Sequence, residues 1–296
     1  MDCNRALLKN LMSMAAMVEA RDPYTGGHLW RVSQFAHLLA AEAGLDDRQQ
    51  ARMALGGFLH DLGKVGVPDG ILNKPGPLND DEFAVIKTHP AIGHRLLLQH
   101  PLAPLVEGAV HGHHERPDGR GYPRGLEGEV IPLEARVVGI ADAFDAMTSQ
   151  RPYRRGMPID RALQLIRTNL GNQFDRWLGE HFLALGETGQ LEHVVGHSEL
   201  EVPLQACPSC GPVIVVRSAQ RTGEHVYCRL CRAELVLQRH GKRLDVVPTG
   251  RRGDASQLVP TVDEDLIERL VVTAQQHLSA SRRQALMSRL RTRLAF

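Results

Sequence analysis

Whatever this chain folds into must bring the dipeptide His60-Asp61 together with four other candidate ligand positions: His28, His89, the pair His113-His114, and Asp142. These are spread over more than a hundred residues. The dipeptide ends an apolar run, Ala54-Leu55-Gly56-Gly57-Phe58-Leu59, whose spacing suits a helix, so a nitrogen and a carboxylate are offered to one spot. Alone, a His-Asp pair is a weak signal, because it arises often and usually marks a hydrogen-bonded surface pair. Candidate ligands on both sides of it point instead to a bound metal. Asp142 and Asp145 sit three apart, hence on one helical face, inside the apolar run from Leu133 to Ser149. A carboxylate in such company is costly unless a counter-charge offsets it, and a metal does so.

At 296 residues the chain has room for one sizeable domain with attachments, or for two domains. Aromatics are only 4% of it, while Leu, Ala, Val and Arg recur at helical spacing, so a mainly α core is expected. The net charge of +1 hides an imbalance: from Gln205 onward there are 15 Lys/Arg against 8 Asp/Glu, which leaves 20 against 26 before it. A basic tail follows an acidic body. Such a tail can meet nucleic acid or an acidic partner, although a solvated basic surface is the commoner outcome and nothing else in the sequence supports nucleic acid. Four of the five cysteines form two C-x-x-C pairs, which read as a metal clip in a reducing compartment and not as a disulfide framework. The amphipathic N-terminus lacks a cleavage site, and no run reaches the roughly 18 apolar residues of a membrane span. A cytoplasmic protein without a membrane partner is expected.

Periodicity and caps predict helices opening near Asp2 or Asn4, over His28 to Ala43, and up to His60-Asp61. Others follow from the acidic cap at Asn79-Asp80-Asp81-Glu82, behind Pro90 to Gln99, from Leu105 to His113, and over Leu133 to Ser149, Ile159 to Leu170 and Phe174 to Leu185. Gly- and Pro-rich stretches, Gly63 to Leu78 and Asp118 to Pro123, predict loops. After Gly196, short β-branched runs around the cysteines predict a small sheet. Cap signals at Thr261-Val262-Asp263-Glu264 and Ser281-Arg282-Arg283-Gln284 predict a helical hairpin. The expected organisation is a helical body over 1–190, a linker over 191–204, a ribbon-like β module over 205–247, a polar Arg/Gly-rich linker over 248–260, and the hairpin over 261–296.

Taken in order, several separated motifs resemble the HD-GYP domain. They are Asp22-Pro23-Tyr24-Thr25-Gly26-Gly27-His28, His60-Asp61-Leu62-Gly63-Lys64, His89, and His113-His114-Glu115-Arg116-Pro117-Asp118-Gly119-Arg120-Gly121-Tyr122-Pro123. Ala141-Asp142-Ala143-Phe144-Asp145-Ala146-Met147-Thr148-Ser149 and Arg151-Pro152-Tyr153-Arg154 continue the likeness, which runs roughly from Met12 to Leu185. HD-GYP domains are helical bundles of the HD superfamily of metal-dependent phosphohydrolases, and those with intact motifs hydrolyse the bacterial second messenger cyclic di-GMP.

The resemblance implies that His28, His60, Asp61 and Asp142 hold one metal, and that Asp61 bridges to a second held by His89, His113 and His114. It implies catalytic roles for Asp61 and Lys64, places Lys64 beside the substrate phosphate with Arg151 and Arg154 as further phosphate contacts, and makes Gly121-Tyr122-Pro123 the signature loop. Two metals about 3.5–4 Å apart can bridge and acidify one water, aim it at phosphorus and stabilise the leaving oxygen. Histidines with a few carboxylates and no thiolate suit iron first and manganese next, with zinc, nickel or cobalt also able to bind. Some family members bind a third metal through a carboxylate four residues before the first histidine. Tyr24 stands there in this sequence, so the expectation is two metals and a product that stops at linear pGpG more readily than it proceeds to GMP. Arg176 stands where the family often has proline, which is expected to matter only locally. His37, His94, His100, His111 and His181 match no motif and are expected at the surface or hydrogen-bonded in the core. Glu115 and Asp145 either orient histidines or are ordinary helix acids.

Cys207, Cys210, Cys228 and Cys231, with 17 residues between the pairs, resemble a zinc ribbon holding one structural zinc. A segment so short could not hold together on its apolar content, and stabilising or docking is its expected use. Arg282, Arg283, Arg289, Arg291 and Arg293 suit a homodimer contact or an acidic protein partner, against a helix pair packed on the body with its arginines in water. The expected function is cyclic di-GMP phosphodiesterase. The alternatives are a phosphohydrolase for another cyclic dinucleotide or nucleotide, and a nucleotide-sensing adaptor acting through the ribbon and basic tail.

Overall fold

Side chains placed one turn ahead fix several helix starts. Asn4 accepts from the Ala6 amide, Asp46 and Gln49 cap reciprocally, and so do Asn79 and Glu82. The computed structural model describes residues 4–22, 26–150, 154–241, 243–259 and 261–293, and for Arg243 and residues 279–293 the backbone alone. In chain order the body is α1 (Arg5–Glu19), α2 (His28–Glu42), α3 (Asp47–Leu59), a 3-10 turn (Leu62–Gly66), α4 (Asp69–Leu72), α5 (Asp80–Ile86), α6 (His89–Leu97) and α7 (Ala103–Gly112). A second 3-10 turn (Gly128–Val130), α8 (Leu133–Thr148), α9 (Ile159–Thr168) and α10 (Arg176–Glu187) complete it.

Helix α2 is central: ten of its fifteen residues are buried, His28, Arg31 and Ser33 among them, and it packs chiefly on α3 and α8. Phe35, Phe144 and Phe182 meet edge to face, with centroids 5.1 Å and 5.0 Å apart along the series, and tie α2 to α8 and α10. Gly63 lets the 3-10 turn lie directly on α6, since a Cβ there would stand 1.8 Å from the His89 carbonyl oxygen. That contact carries His60-Asp61 up against His89.

Beyond the body come β1 (His197–Glu199), β2 (Val202–Pro203), β3 (Gln205–Cys207), β4 (Gly211–Ile214), β5 (His225–Tyr227), β6 (Ala233–His240), β7 (Arg243–Arg252) and α11 (Glu264–Arg293). β1 pairs with β2, β3 with β4, and β5-β6-β7 form a meander, all antiparallel, with Tyr227 opposite Glu234 and Val236 opposite Val247. Three expectations change. The predicted hairpin is one continuous helix, because Ser279-Ala280-Ser281-Arg282 holds neither glycine nor proline and a serine tolerates the helix interior. Strand β7 runs into the stretch read as a linker, pairing Arg252 with Ala233. In the stretch 191–204, Leu191 and Val194 are buried in the main core and β1 and β2 follow. Among the described residues, no helix is long and apolar enough to cross a membrane.

Candidate metal centre

His28 is the first residue of α2, and two devices hold it there. Gly27 takes a positive φ of 74°, and the Glu19 carboxylate accepts from the Leu29 amide at 2.9 Å, capping the helix. His60 follows α3, His89 opens α6, and His113-His114 follow α7. The ring Nδ1 atoms of His60, His89 and His113 lie 2.7, 2.7 and 3.0 Å from the carbonyl oxygens of Gly57, Ile86 and Ala109. A carbonyl can only accept, so each Nδ1 carries the proton and each Nε2 is left with its lone pair facing inward.

The inward atoms crowd together. Nε2 of His28 is 3.3 Å from that of His60, and Nε2 of His89 is 3.1 Å from that of His113. Asp61 stands between these pairs: its Oδ2 is 3.5 Å from His28 Nε2 and 3.3 Å from His60 Nε2, while Oδ1 is 3.4 Å from His89 Nε2. Asp142 Oδ1 lies 3.6 Å from His28 and 3.8 Å from His60. The ligand atoms of His28, His60 and Asp142, of His89, His113 and His114, and of His60, Asp61 and His113 form three overlapping groups, each within 4.8 Å. Ligands roughly 2 Å from one cation sit about 3–4 Å from one another, so the donor set fits divalent ions.

The protonation states agree with that fit. Burial drives His89 down to about 4 and His114 to about 3, and with His114 beside it His113 falls well below its ordinary value. These rings are neutral at pH 7, the state a metal ligand requires. Burial works against the charge on Asp61, but the Lys64 ammonium, 2.6 Å away, and His60 outweigh it and hold the carboxyl low. His28 is the exception. Burial opposes its charge too, yet Asp145 and Asp61 lift it to about 9, so a metal must displace its proton. Calorimetric titration in buffers of different ionisation enthalpy is expected to show about one proton released per chain at about pH 7 and none above about pH 10, with affinity rising roughly tenfold per pH unit up to about pH 9. Binding independent of pH across that range contradicts this assignment of His28.

Two buried charges, Asp145 and Arg31, lie behind His28. Asp145, 1% exposed, accepts from His28 Nδ1 at 2.8 Å and from Arg31 Nε and Nη2 at 2.5 and 3.1 Å. Sequence reasoning left Asp145 undecided and passed over Arg31. The available signal was spacing: Arg31 follows His28, and Asp145 follows Asp142, by three residues on otherwise apolar helices. Glu115 orients no histidine; it accepts from the Arg124 and Leu126 amides at 2.8 and 2.9 Å and so ties down the following loop. In that loop Gly121 passes close to the backbone of Arg116, and the Tyr122 ring stacks on His114 with centroids 4.7 Å apart, with Pro123 joined through a cis peptide.

A cavity of about 670 Å³ opens beside His113, His114 and Asp142, with Lys87, Arg116 and Arg136 on its wall. Lys64 is paired with Asp61, and Arg154 donates to the Ala146 carbonyl on the helix lining the cavity. Arg151 and Tyr24 lie outside the described residues, as do the side chains of Arg282, Arg283, Arg289, Arg291 and Arg293. Of the histidines without a motif, His94 and His111 stack on each other with centroids 4.1 Å apart, and His100 accepts from the Leu102 amide. Apart from this centre, the four sulfurs of Cys207, Cys210, Cys228 and Cys231 lie within 4.8 Å of one another, as four thiolates around one zinc do.

Several known proteins resemble this chain over its helical body. The chain is 43% identical over 169 residues to the cyclic di-GMP phosphodiesterase response regulator RpfG of Xanthomonas campestris pv. campestris, covering 56% of this chain and 45% of that protein. It is 38% identical over 159 residues to 3'3'-cGAMP-specific phosphodiesterase 3 of Vibrio cholerae, covering 54% and 35%. It is 38% identical over 181 residues to a cyclic di-GMP phosphodiesterase of Thermotoga maritima, covering 60% and 49%. The chain thus spans half or less of the length of these relatives. Residues 12–178, more than half of the sequence, match the HD domain family, and the chain belongs to that family.

Proposed function

We propose that this protein is a metal-dependent phosphodiesterase that opens cyclic di-GMP to linear pGpG. The observation that carries the reading is Asp61, whose two carboxylate oxygens face two different histidine groups. His28, His60, Asp142 and one oxygen of Asp61 would hold one divalent ion; His89, His113, His114 and the other oxygen would hold a second. Iron is the first candidate for both and manganese the next. When bound, such a pair neutralises phosphate oxygens and makes a water acidic enough to serve as nucleophile near neutral pH.

The chain's own residues do the positioning. Backbone carbonyls fix three of the imidazoles, so little reorganisation accompanies the reaction. Lys64 already neutralises a carboxylate at the centre and can share that charge with a substrate phosphate. Arg151 and Arg154 would contact the substrate phosphate, and Tyr122 of the loop at Gly121-Tyr122-Pro123 stacks on His114 at the edge of the cavity. In this reading residues 1–190, with Leu191 and Val194 completing their core, form the catalytic domain. The module over 205–247, whose last strand runs on to Arg252, holds one structural zinc at Cys207, Cys210, Cys228 and Cys231, and with α11 it stabilises the chain or docks a second copy or another protein. The site of action is the cytoplasm.

The substrate class rests on the names of the relatives, and a second reading, 3'3'-cGAMP, is favoured by those named for it. Purified protein loaded with iron or manganese is expected to convert cyclic di-GMP to pGpG, followed by chromatography beside 3'3'-cGAMP and cyclic di-AMP. Faster turnover of 3'3'-cGAMP selects the second reading. Tight metal-dependent binding without turnover of any of the three sinks both and leaves a nucleotide-sensing adaptor.

A further inference from the structure

We infer that the four-cysteine module is a working part of the metal centre, with Arg31 as the positioning residue through which an ordered module sets the metal affinity of His28. This rests on the reading of His28 as a ligand. Arg31 is 2% exposed, and its guanidinium joins the helical body to β1, the strand just ahead of the four-cysteine module. Nε and Nη2 grip Asp145, which in turn holds His28 Nδ1. Nη1 donates to the carbonyls of Gly26 and His197, both at 2.9 Å, and His197 belongs to β1, 166 residues away. A continuous run of hydrogen bonds therefore joins β1 to a ligand ring.

Strand β1 is in turn held by the segment that follows β4. Ser198 Oγ lies 3.3 Å from the Val216 carbonyl oxygen, and the Glu199 carboxylate accepts from the Ser218 amide at 2.8 Å. The contact leaves no slack at the loop that delivers His28. A Cβ on Gly27 would stand 2.7 Å from Ser198 Cα, and one on Gly26 would stand 2.3 Å from Val215 Cγ2. Gly211, next to Cys210, faces Gln150 just past the end of α8, the helix that carries Asp142 and Asp145. The module's own buried core is small and includes two of its cysteines, so its order depends on zinc. Without zinc the His197 carbonyl leaves Arg31, the buried guanidinium turns to other acceptors, and Asp145 no longer holds His28 in one orientation. Loss of an orienting partner typically lowers metal affinity 10–100-fold.

The full chain, carrying one zinc in the module, can be titrated with manganese while the resonance of the free ion reports affinity at the His/Asp centre. Arg31→Lys keeps the cation but loses the fork, and Cys210→Ser weakens the zinc site; each is expected to weaken manganese binding about tenfold or more. Because both interrupt one path, the double variant loses less than the sum of the two. Displacing zinc from the unmodified chain with a thiol-selective mercurial gives the same loss without any substitution. Unchanged manganese affinity in the zinc-free chain, or fully additive losses, overturns the inference. Manganese affinity that ignores His28→Ala overturns the ligand reading itself, and this with it.

Discussion

Alanine at both His60 and Asp61 is expected to abolish measurable turnover, a loss of roughly a thousandfold or more, and to strip the centre of metal. The size follows from Asp61's position between the histidine groups, facing His28 and His60 through one oxygen and His89 through the other. Removing it takes a ligand from both groups at once, and removing His60 takes a second from one of them. Lys64 is also left beside the centre without its carboxylate, adding a positive charge where cations should bind. Metal analysis alongside product chromatography checks both halves. A double variant that keeps its metal, or turns over at the wild-type rate, removes Asp61 from the role given to it.

The second large effect is on stability. Asp145→Ala leaves the Arg31 guanidinium buried against His28 with no anion, and breaking a buried pair in this way costs about 3–5 kcal/mol. Denaturant unfolding should show the loss as a lower midpoint with little change in slope. The apolar double replacement Arg31→Met with Asp145→Leu removes both charges together and should recover most of that stability. It should not recover metal affinity, because His28 still lacks its acceptor. A double variant as unstable as Asp145→Ala alone shows that packing, and not the unpaired charge, sets the cost.

The residues that gather at the candidate metal centre are legible in the sequence because histidine and aspartate inside apolar helical runs have few other uses, and their order along the chain resembles one family. Arg31 is not. An arginine in a helix reads as solvated, and its distant partner is a backbone carbonyl at His197, which no side-chain pattern announces. The stretch around Leu191 and Val194 lacks periodicity and reads as a linker, although those two side chains complete the main core. Strand β7 was cut short because its last residues are exposed, and Pro248-Thr249-Gly250-Arg251-Arg252 has the composition of a tether. Ser281 was read as a helix start, but a cap signal permits a new helix without requiring one.

The place of α11 has a consequence for how the molecule is made. Ile267, Val271 and Leu278 share one apolar cluster with Leu8, Leu11, Leu55 and Phe58, and α11 packs on both α1 and α3. Helix α1 therefore waits during synthesis for a partner more than 250 residues behind it. At about 5–20 residues per second that is a wait of roughly 10–50 s with leucines uncovered. Contacts closed over so long a loop also form slowly, so until α11 arrives the α1 face is covered only in part, by α3 and its neighbours.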